Sequence, residues 1–488
     1  MDGVLSVAPG HALRLRCRAP DSGIHRSRTR PERHALTAAP EVARAAPPAR
    51  PLLRVLGGVF GLALAVGATI GGGILGTPGS VAAALPNTWL FLIAWVFGGV
   101  NAFLGATAYA ELGAMMPRSG GTYLYAHRAF GDGLGFFAGY ADWINWSVSS
   151  SGLILLIGDY IAAVLPPLNG HPLAAGCGVF GFLVILQWIG VRSGGRTQEV
   201  TTALKALSLV ALIVAVFVLP HSAGPAAPAH SLPVPHGTAL LFAIGVAMQG
   251  VVFSYDSFYA PVYCAEELRD PGRSIPASIF RGLAMVMAIY LLLLIAFLTL
   301  VPVQQMAGND FVGATVTRMI FGPRGDLVIH LVMIAAVLGT VNAQIMAAPR
   351  IVLAMARDGL FPPQATHVNK GGTPTTALAL SLAFTGIFLL SGSFNAVLAV
   401  AVFFSLSLYL LTYVSLFVLR RREPDAPRPY RAWGYPVVPA LAIVCVIFLL
   451  ITMALGDPRS AAIALGVLVV SWPMSHLVRR LIRRASPA

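Results

Sequence analysis

The sequence predicts an all-α polytopic membrane protein of twelve transmembrane helices, and three observations carry that prediction. Of its 488 residues 57% are hydrophobic and 11% charged, against about 25% charged in an ordinary soluble domain. Apolar runs near the roughly 20 residues that cross hydrocarbon recur along the chain after residue 50. Lys and Arg gather in alternate loops, as the positive-inside rule requires of cytoplasmic segments. With the N-terminus inside, seven cytoplasmic segments hold 30 of the 33 basic residues, and only Arg318, Arg324 and Arg459 face the other side.

Taken in order, residues 1–50 are rich in Arg, Ala and Pro and carry no helical or strand period, so they read as a disordered cytoplasmic tail. They contain no apolar core of the kind a signal peptide needs; an upstream-extended start is the alternative account. The transmembrane domain is expected over 51–480. Its spans start near Arg54, Thr88, Gly133, Leu173, Gly195, Gly237, Pro276, Arg324, Thr375, Phe394, Tyr435 and Pro458. Residues 481–488 form a second cytoplasmic tail. The net charge of +14 is mostly topology. It is spread over seven short segments rather than gathered on one face, which argues against a nucleic-acid partner. Cys17, Cys177, Cys264 and Cys445 have no ligand spacing and suggest neither disulfide framework nor metal site.

The first span contains the stretch VGATIGGGILGTPG, residues 66–79. Gly71 to Gly76 match GxGxxG on paper, but a dinucleotide fingerprint needs a preceding strand and a later acidic residue, and neither is present. Two accounts remain. Gly57/Gly61, Gly67/Gly71 and Gly72/Gly76 are small-xxx-small pairs that permit close helix packing. Alternatively, Gly71, Gly72 and Gly73 together weaken the helix by about 1 kcal/mol each relative to alanine, more than one crossing needs, which points to local unwinding. Unwound backbone survives in hydrocarbon only inside protein or along a cavity. There, N–H groups near Gly72 to Ile74 can hold a carboxylate. Carbonyls near Thr69 and Ile70 point the other way and attract a cation.

A transporter built of inverted repeats needs a second broken span at the matching place. Five spans later, Phe253-Ser254-Tyr255-Asp256-Ser257-Phe258 is polar within an apolar run and is followed by Pro261. The odd offset makes the two spans antiparallel. Repeat one then covers about 54–220 and repeat two about 237–420, with two further helices at about 435–480.

The stretches GATIGGGILGTPG, AELGAMMPRSGGTYLYAHRAFG, FSYDSFYAPVYCAEELRDPGRSIPASI and APRIVLAMARDGLFP resemble the signature stretches of the amino acid, polyamine and organocation (APC) transporter superfamily. The nearest resemblance is to its L-type amino acid transporter branch and bacterial relatives. It implies a five-plus-five inverted-repeat (LeuT-like) fold with discontinuous helices 1 and 6 and a substrate site between them. Ile70, Gly71, Gly72, Gly73 and Ile74 are similar to the family's carboxylate-binding turn. Phe253 stands at its aromatic gate, and the backbone of Phe253, Ser254, Tyr255 and Asp256 would receive the ammonium. Many L-type members carry two glycines and a tryptophan where this chain has Asp256-Ser257-Phe258, so the resemblance does not extend to side-chain preference.

A carboxylate at mid-bilayer costs about 2.5–3.5 kcal/mol on insertion scales. Asp256 therefore caps a half-helix, pairs with the substrate ammonium or carries a proton. Lys205, one of two lysines, lies about ten residues into the fifth span; it either snorkels or, by resemblance, occupies the place where sodium-coupled relatives bind sodium and couples transport to a proton. Two accounts fit Asp142, Asn145, Ser149 to Ser151, Thr340, Asn342 and Gln344: they line the pathway or, the favoured account, they satisfy one another as interhelical hydrogen-bonding groups. Glu111, Arg118, Glu266, Glu267, Arg273, Arg357 and Asp358 are expected to form ion pairs at cytoplasmic ends.

The function these readings give is a secondary active amino acid transporter, proton-coupled or exchanging, with an amino acid and the lipid bilayer as partners and no cofactor. A polyamine or organic cation exchanger and a non-transporting amino acid sensor are the alternatives. No P-loop, HExxH or GxSxG motif suggests an enzyme. The loop LPPLNGHP lacks the cysteine that joins animal L-type members to a heavy chain. Arg outnumbering Lys 31 to 2 suggests a GC-rich bacterial genome, hence the inner membrane.

Overall fold

The computed structural model describes residues 51–222, 232–309, 311–389 and 394–456, with scattered positions from 458 to 478. In chain order the helices are α1 (Gly58–Thr69), α2 (Gly73–Gly76), α3 (Pro78–Ala84), α4 (Thr88–Met115), α5 (Thr122–Phe130), α6 (Asp132–Val164), α7 (Pro172–Ile189), α8 (Val191–Val218) and α9 (Thr238–Tyr255). They continue with α10 (Pro271–Leu300), α11 (Val303–Met306), α12 (Val312–Phe321), α13 (Gly325–Arg357), α14 (Thr375–Leu389), α15 (Phe394–Arg422) and α16 (Val437–Gly456). No strand is present among the described residues; one isolated bridge joins Leu56 to Leu268.

Ten helical segments among the described residues are long and apolar enough to cross a membrane, and α14 is a shorter apolar helix. They fall at the first eleven predicted spans. The twelfth, expected from Pro458, and the tail 1–50 lie outside the described stretches. Pro276, predicted as the start of a span, instead sits inside α10, which begins five residues earlier at Pro271. Pro271 at the first helical position gives up an N–H that has no helical partner anyway, so the helix starts there.

The exposed faces are apolar. On α8, Val200, Leu204, Leu207, Val210, Val214 and Phe217 are exposed at helical spacing, whereas Gln198, Thr202 and Lys205 are buried. An apolar stripe turned outward and polar groups turned inward invert the pattern of a water-soluble helix. Lys205 is therefore buried against the protein, which corrects the snorkelling account.

Packing places two long helices beside the first span: α10 packs on α1 and α4, and α13 packs on α1, α6 and α8. Ion pairs close one end of this assembly. Arg118 meets Asp358 at 2.9 Å, Arg357 meets Glu266 at 2.8 Å, and the fully buried Arg350 meets Glu267 at 3.0 Å. Glu111, with no exposed surface, is held by Arg420 at 2.5 Å and Arg428 at 3.0 Å. Of the seven residues expected to pair here, only Arg273 makes no ion pair among the described residues.

Candidate functional site

The first span is broken. Helix α1 stops at Thr69 and α2 resumes at Gly73. The first bonds to bridge or follow the break run from Gly76 N–H to the Gly72 carbonyl and from Thr77 N–H to the Gly73 carbonyl. The five N–H groups of Gly71 to Leu75 consequently donate to no protein group among the described residues. Glycine is required here for a second reason. A Cβ on Gly73 would lie 3.1 Å from the backbone Cα of Ser254 and 3.3 Å from the Phe253 ring, so the two broken spans touch backbone to backbone. The packing account of the paired glycines holds only in part, since a side chain at Gly57 or Gly76 would meet nothing within 4 Å. Gly61 faces Ser278, and Gly67 faces Gln198 and Thr202, at distances too short for a Cβ.

The carbonyl end of α1 is already occupied. The Lys205 ammonium donates to the Gly67 carbonyl at 2.7 Å, to the Ile70 carbonyl and to Thr340 Oγ1 at 3.0 Å. Thr340 in turn donates to this pair of carbonyls. A cation at a helix C-terminus meets the negative end of the helix dipole. The expectation that these carbonyls attract a cation is thus met by the chain's own lysine.

The sixth span breaks differently. Helix α9 ends at Tyr255, and Ser257 adopts φ 68°, the only positive φ of a non-glycine residue among those described. The chain then continues through 3₁₀ turns over Ala260–Glu267 that no side chain caps, with Cys264 outside helical geometry. The expected second half of this span is therefore not an α-helix. Pro261 cannot donate, and the backbone of Leu56 is bonded to Glu267 and Arg269 at the far end, which ties the segment down. Asp256 ends α9 through its backbone N–H to the Phe253 carbonyl, and its side chain caps no second half-helix. Its carboxylate accepts from Tyr409 Oη, from Ser405 Oγ at 3.1 Å and from Ser257 Oγ at 3.4 Å.

Between the breaks lies a small pocket, about 50 Å³ in volume. Of the residues expected to bind substrate, Gly71, Gly72, Gly73, Phe253 and Asp256 line it. Ile70, Ile74, Ser254 and Tyr255 do not. Ile70 and Ile74 are buried in the core, and Ser254 Oγ turns to Thr77 at 3.1 Å and to the Gly250 carbonyl at 2.8 Å. The Tyr255 ring packs on Trp95 and Tyr290. Lys205 sits behind the break rather than in the pocket.

Asn145, Trp146, Ser149, Thr340 and Gln344 also line the pocket. Here the hydrogen-bonding account of the polar span residues is half right. Asn342 is bonded to Gln187 and Gln198, and Asp142 accepts twice from Tyr263, all away from the cavity. Gln344 is bonded to Ser150 yet reaches the pocket. Sequence reasoning missed Tyr290, Ser405 and Tyr409. The Tyr290 hydroxyl donates to the Thr69 carbonyl at 3.2 Å and the Ser254 carbonyl at 2.9 Å, joining the two breaks through one group. Its only signal was a lone polar group in the apolar run AMVMAIYLLLL.

An all-helical, multi-pass membrane protein whose polar cavity sits between two interrupted spans belongs to the class of membrane transporters, not enzymes. The family model described as amino acid permease matches residues 58–473, and the chain belongs to that family. It is 26% identical over 443 residues to the serine/threonine exchanger SteT of Bacillus subtilis (strain 168), covering 89% of this chain and 98% of that one. It is 27% identical over 415 residues to the b(0,+)-type amino acid transporter 1 of Mus musculus, covering 83% and 84%. The large neutral amino acids transporter small subunit 2 of Rattus norvegicus is 28% identical over 443 residues, covering 87% and 81%.

Proposed function

We propose that this permease is a secondary active transporter that moves amino acids by alternating access, driven by a proton gradient or by exchange. One observation carries the site: the N–H groups of Gly71, Gly72 and Gly73 donate to no protein group among the described residues and belong to glycines that line the pocket. An anion is the natural partner of such a row of donors. In the cycle, a substrate carboxylate meets the Ile70 to Ile74 turn. Its ammonium is received by the backbone of Phe253, Ser254, Tyr255 and Asp256, and the Phe253 ring closes over it. Spans 1 and 6 then tilt together, since Tyr290 and the Gly73–Ser254 contact join them. The Arg118–Asp358 and Arg357–Glu266 pairs open with the inner gate.

A five-plus-five inverted repeat with twelve spans is supported by matched pieces in the two halves. Helices α6 and α13 each have 33 residues, and a short helix precedes each, α5 of 9 residues and α12 of 10. In this arrangement residues 1–50 and 481–488 are cytoplasmic tails of a bacterial inner-membrane protein that works without a disulfide-linked partner. Lys205, buried beside the first break, is assigned the coupling role.

The test is uptake of a mixed labelled amino acid pool into proteoliposomes, once with an inward proton gradient and once with unlabelled amino acids inside. Accumulation in the first arm identifies a symporter, and uptake confined to the second an exchanger. Absence of flux in both overturns the proposal in favour of an amine exchanger or a sensor.

A further inference from the structure

We infer that the groove between the start of the first span and the seventh span binds an anionic phospholipid, its phosphate held between Arg273 and Arg281 and its acyl chains lying along the outer face of α10. The groove is about 290 Å³ in volume, and Gly58 and Val59 of α1 line it together with Arg273, Ser274, Ser278 and Arg281 of α10. Those four positions of α10 recur at helical spacing and share one face. Neither arginine has an ion pair or hydrogen bond among the described residues, and no carboxylate among them lines the groove. Ser278 is only 3% exposed, yet its hydroxyl donates to no group among the described residues. A buried hydroxyl without a partner is costly.

Two cations and an idle hydroxyl around one groove call for an anion, and the groove's position says which kind. Arg281 lies eight residues beyond Arg273, about 12 Å along the helix. On its face of α10, Met285, Leu292 and Ile295 follow, all exposed and apolar. Arg281 thus stands where the outward apolar stripe begins, the place at which a basic side chain reaches a lipid headgroup. Glu266 and Glu267, just ahead of α10, are held in the ion pairs described above, so the groove opens at the paired end of the assembly. Val59, 73% exposed, gives the opposite wall an apolar edge. A soluble phosphate satisfies the arginines and leaves that edge to water, whereas a phospholipid covers both. Seated there, the lipid ties the broken first span to α10.

The experiment needs no transport: it measures binding of fluorescent phosphatidylglycerol and phosphatidylcholine to the purified full chain in detergent micelles. We expect phosphatidylglycerol to bind about thirtyfold more tightly, each arginine contributing about fivefold. Arg273→Gln and Arg281→Gln should each lower that preference about fivefold, and the double variant should abolish it. Arg421→Gln, at an exposed arginine outside the groove, should leave it unchanged. Gly58→Phe keeps every charge. A Cβ on Gly58 would meet nothing within 4 Å, so the ring has room to fill the groove and should displace the lipid while the unfolding midpoint without added lipid stays that of the unaltered protein. Equal affinity for the two lipids would overturn the inference. So would a preference that survives Gly58→Phe, or that Arg421→Gln lowers as much as Arg281→Gln does, since diffuse surface charge would then account for it. Displacement of phosphatidylglycerol by equimolar inorganic phosphate would overturn it in favour of a soluble anion.

Discussion

In the first span the helix is opened by removing side chains, and in the sixth by crowding polar ones together. Gly71, Gly72 and Gly73 leave five N–H groups without acceptors among the described residues, while the carbonyls on the other side of that break are bound by Lys205 and Thr340. At the sixth span the carboxylate of Asp256 gathers three hydroxyls, and Ser257 turns the chain with φ 68°. One break therefore presents bare donors to the cavity and the other presents an acceptor. The contrast shows how a pocket between two spans can be polarised with a single ionisable side chain on its wall among the described residues. Buried charges further from it are paired, as Glu111 is with Arg420 and Arg428, bound to backbone, as Lys205 is, or held by a hydroxyl, as Asp142 is by Tyr263.

Replacing Lys205 attacks the first break directly. Lys205→Met keeps the stem but leaves the Gly67 and Ile70 carbonyls to Thr340 alone, a loss of about 3 kcal/mol for a charged donor. The expected outcome is a lower unfolding midpoint in detergent and a flux that no longer varies with pH. An unchanged pH profile would remove Lys205 from coupling. The sixth break is sharpened by Ser257→Val. A β-branched residue at that φ costs about 2 kcal/mol, so thermal unfolding should show a loss of that size, while Ser257→Gly should fold normally. The smallest effect belongs to the tie between the breaks. Tyr290→Phe removes two hydrogen bonds to helix-end carbonyls, Thr69 and Ser254, and should cost about 1 kcal/mol in the same assay. Because it frees the two spans from each other, its flux should fall further than its stability.

Much of this was legible in the sequence. Hydropathy and basic-loop counting gave the spans because the bilayer imposes one length and one charge rule on all of them. The first break was legible because three glycines in hydrocarbon have few other uses. What lay beyond reach was long-range geometry. Nothing near Lys205 in the chain tells which carbonyls it reaches, since Gly67 and Ile70 are 138 and 135 residues away. The 3₁₀ turns over Ala260–Glu267 depend on a bridge to Leu56 and on Pro261 together. Ser405 and Tyr409 look like any polar residues in a span until α15 brings them to Asp256.

The central claim is that the open backbone at Gly71 to Gly73 binds the substrate, and the most direct measurement is proteoliposome uptake by Gly72→Val. A side chain there meets only the flexible ends of Leu156, at 3.0 Å, and Met333, at 3.6 Å, so the protein should insert and fold while the valine fills the pocket beside the N–H groups. The account predicts normal membrane insertion with flux reduced to background. Flux equal to that of the unaltered protein at equal insertion would contradict it.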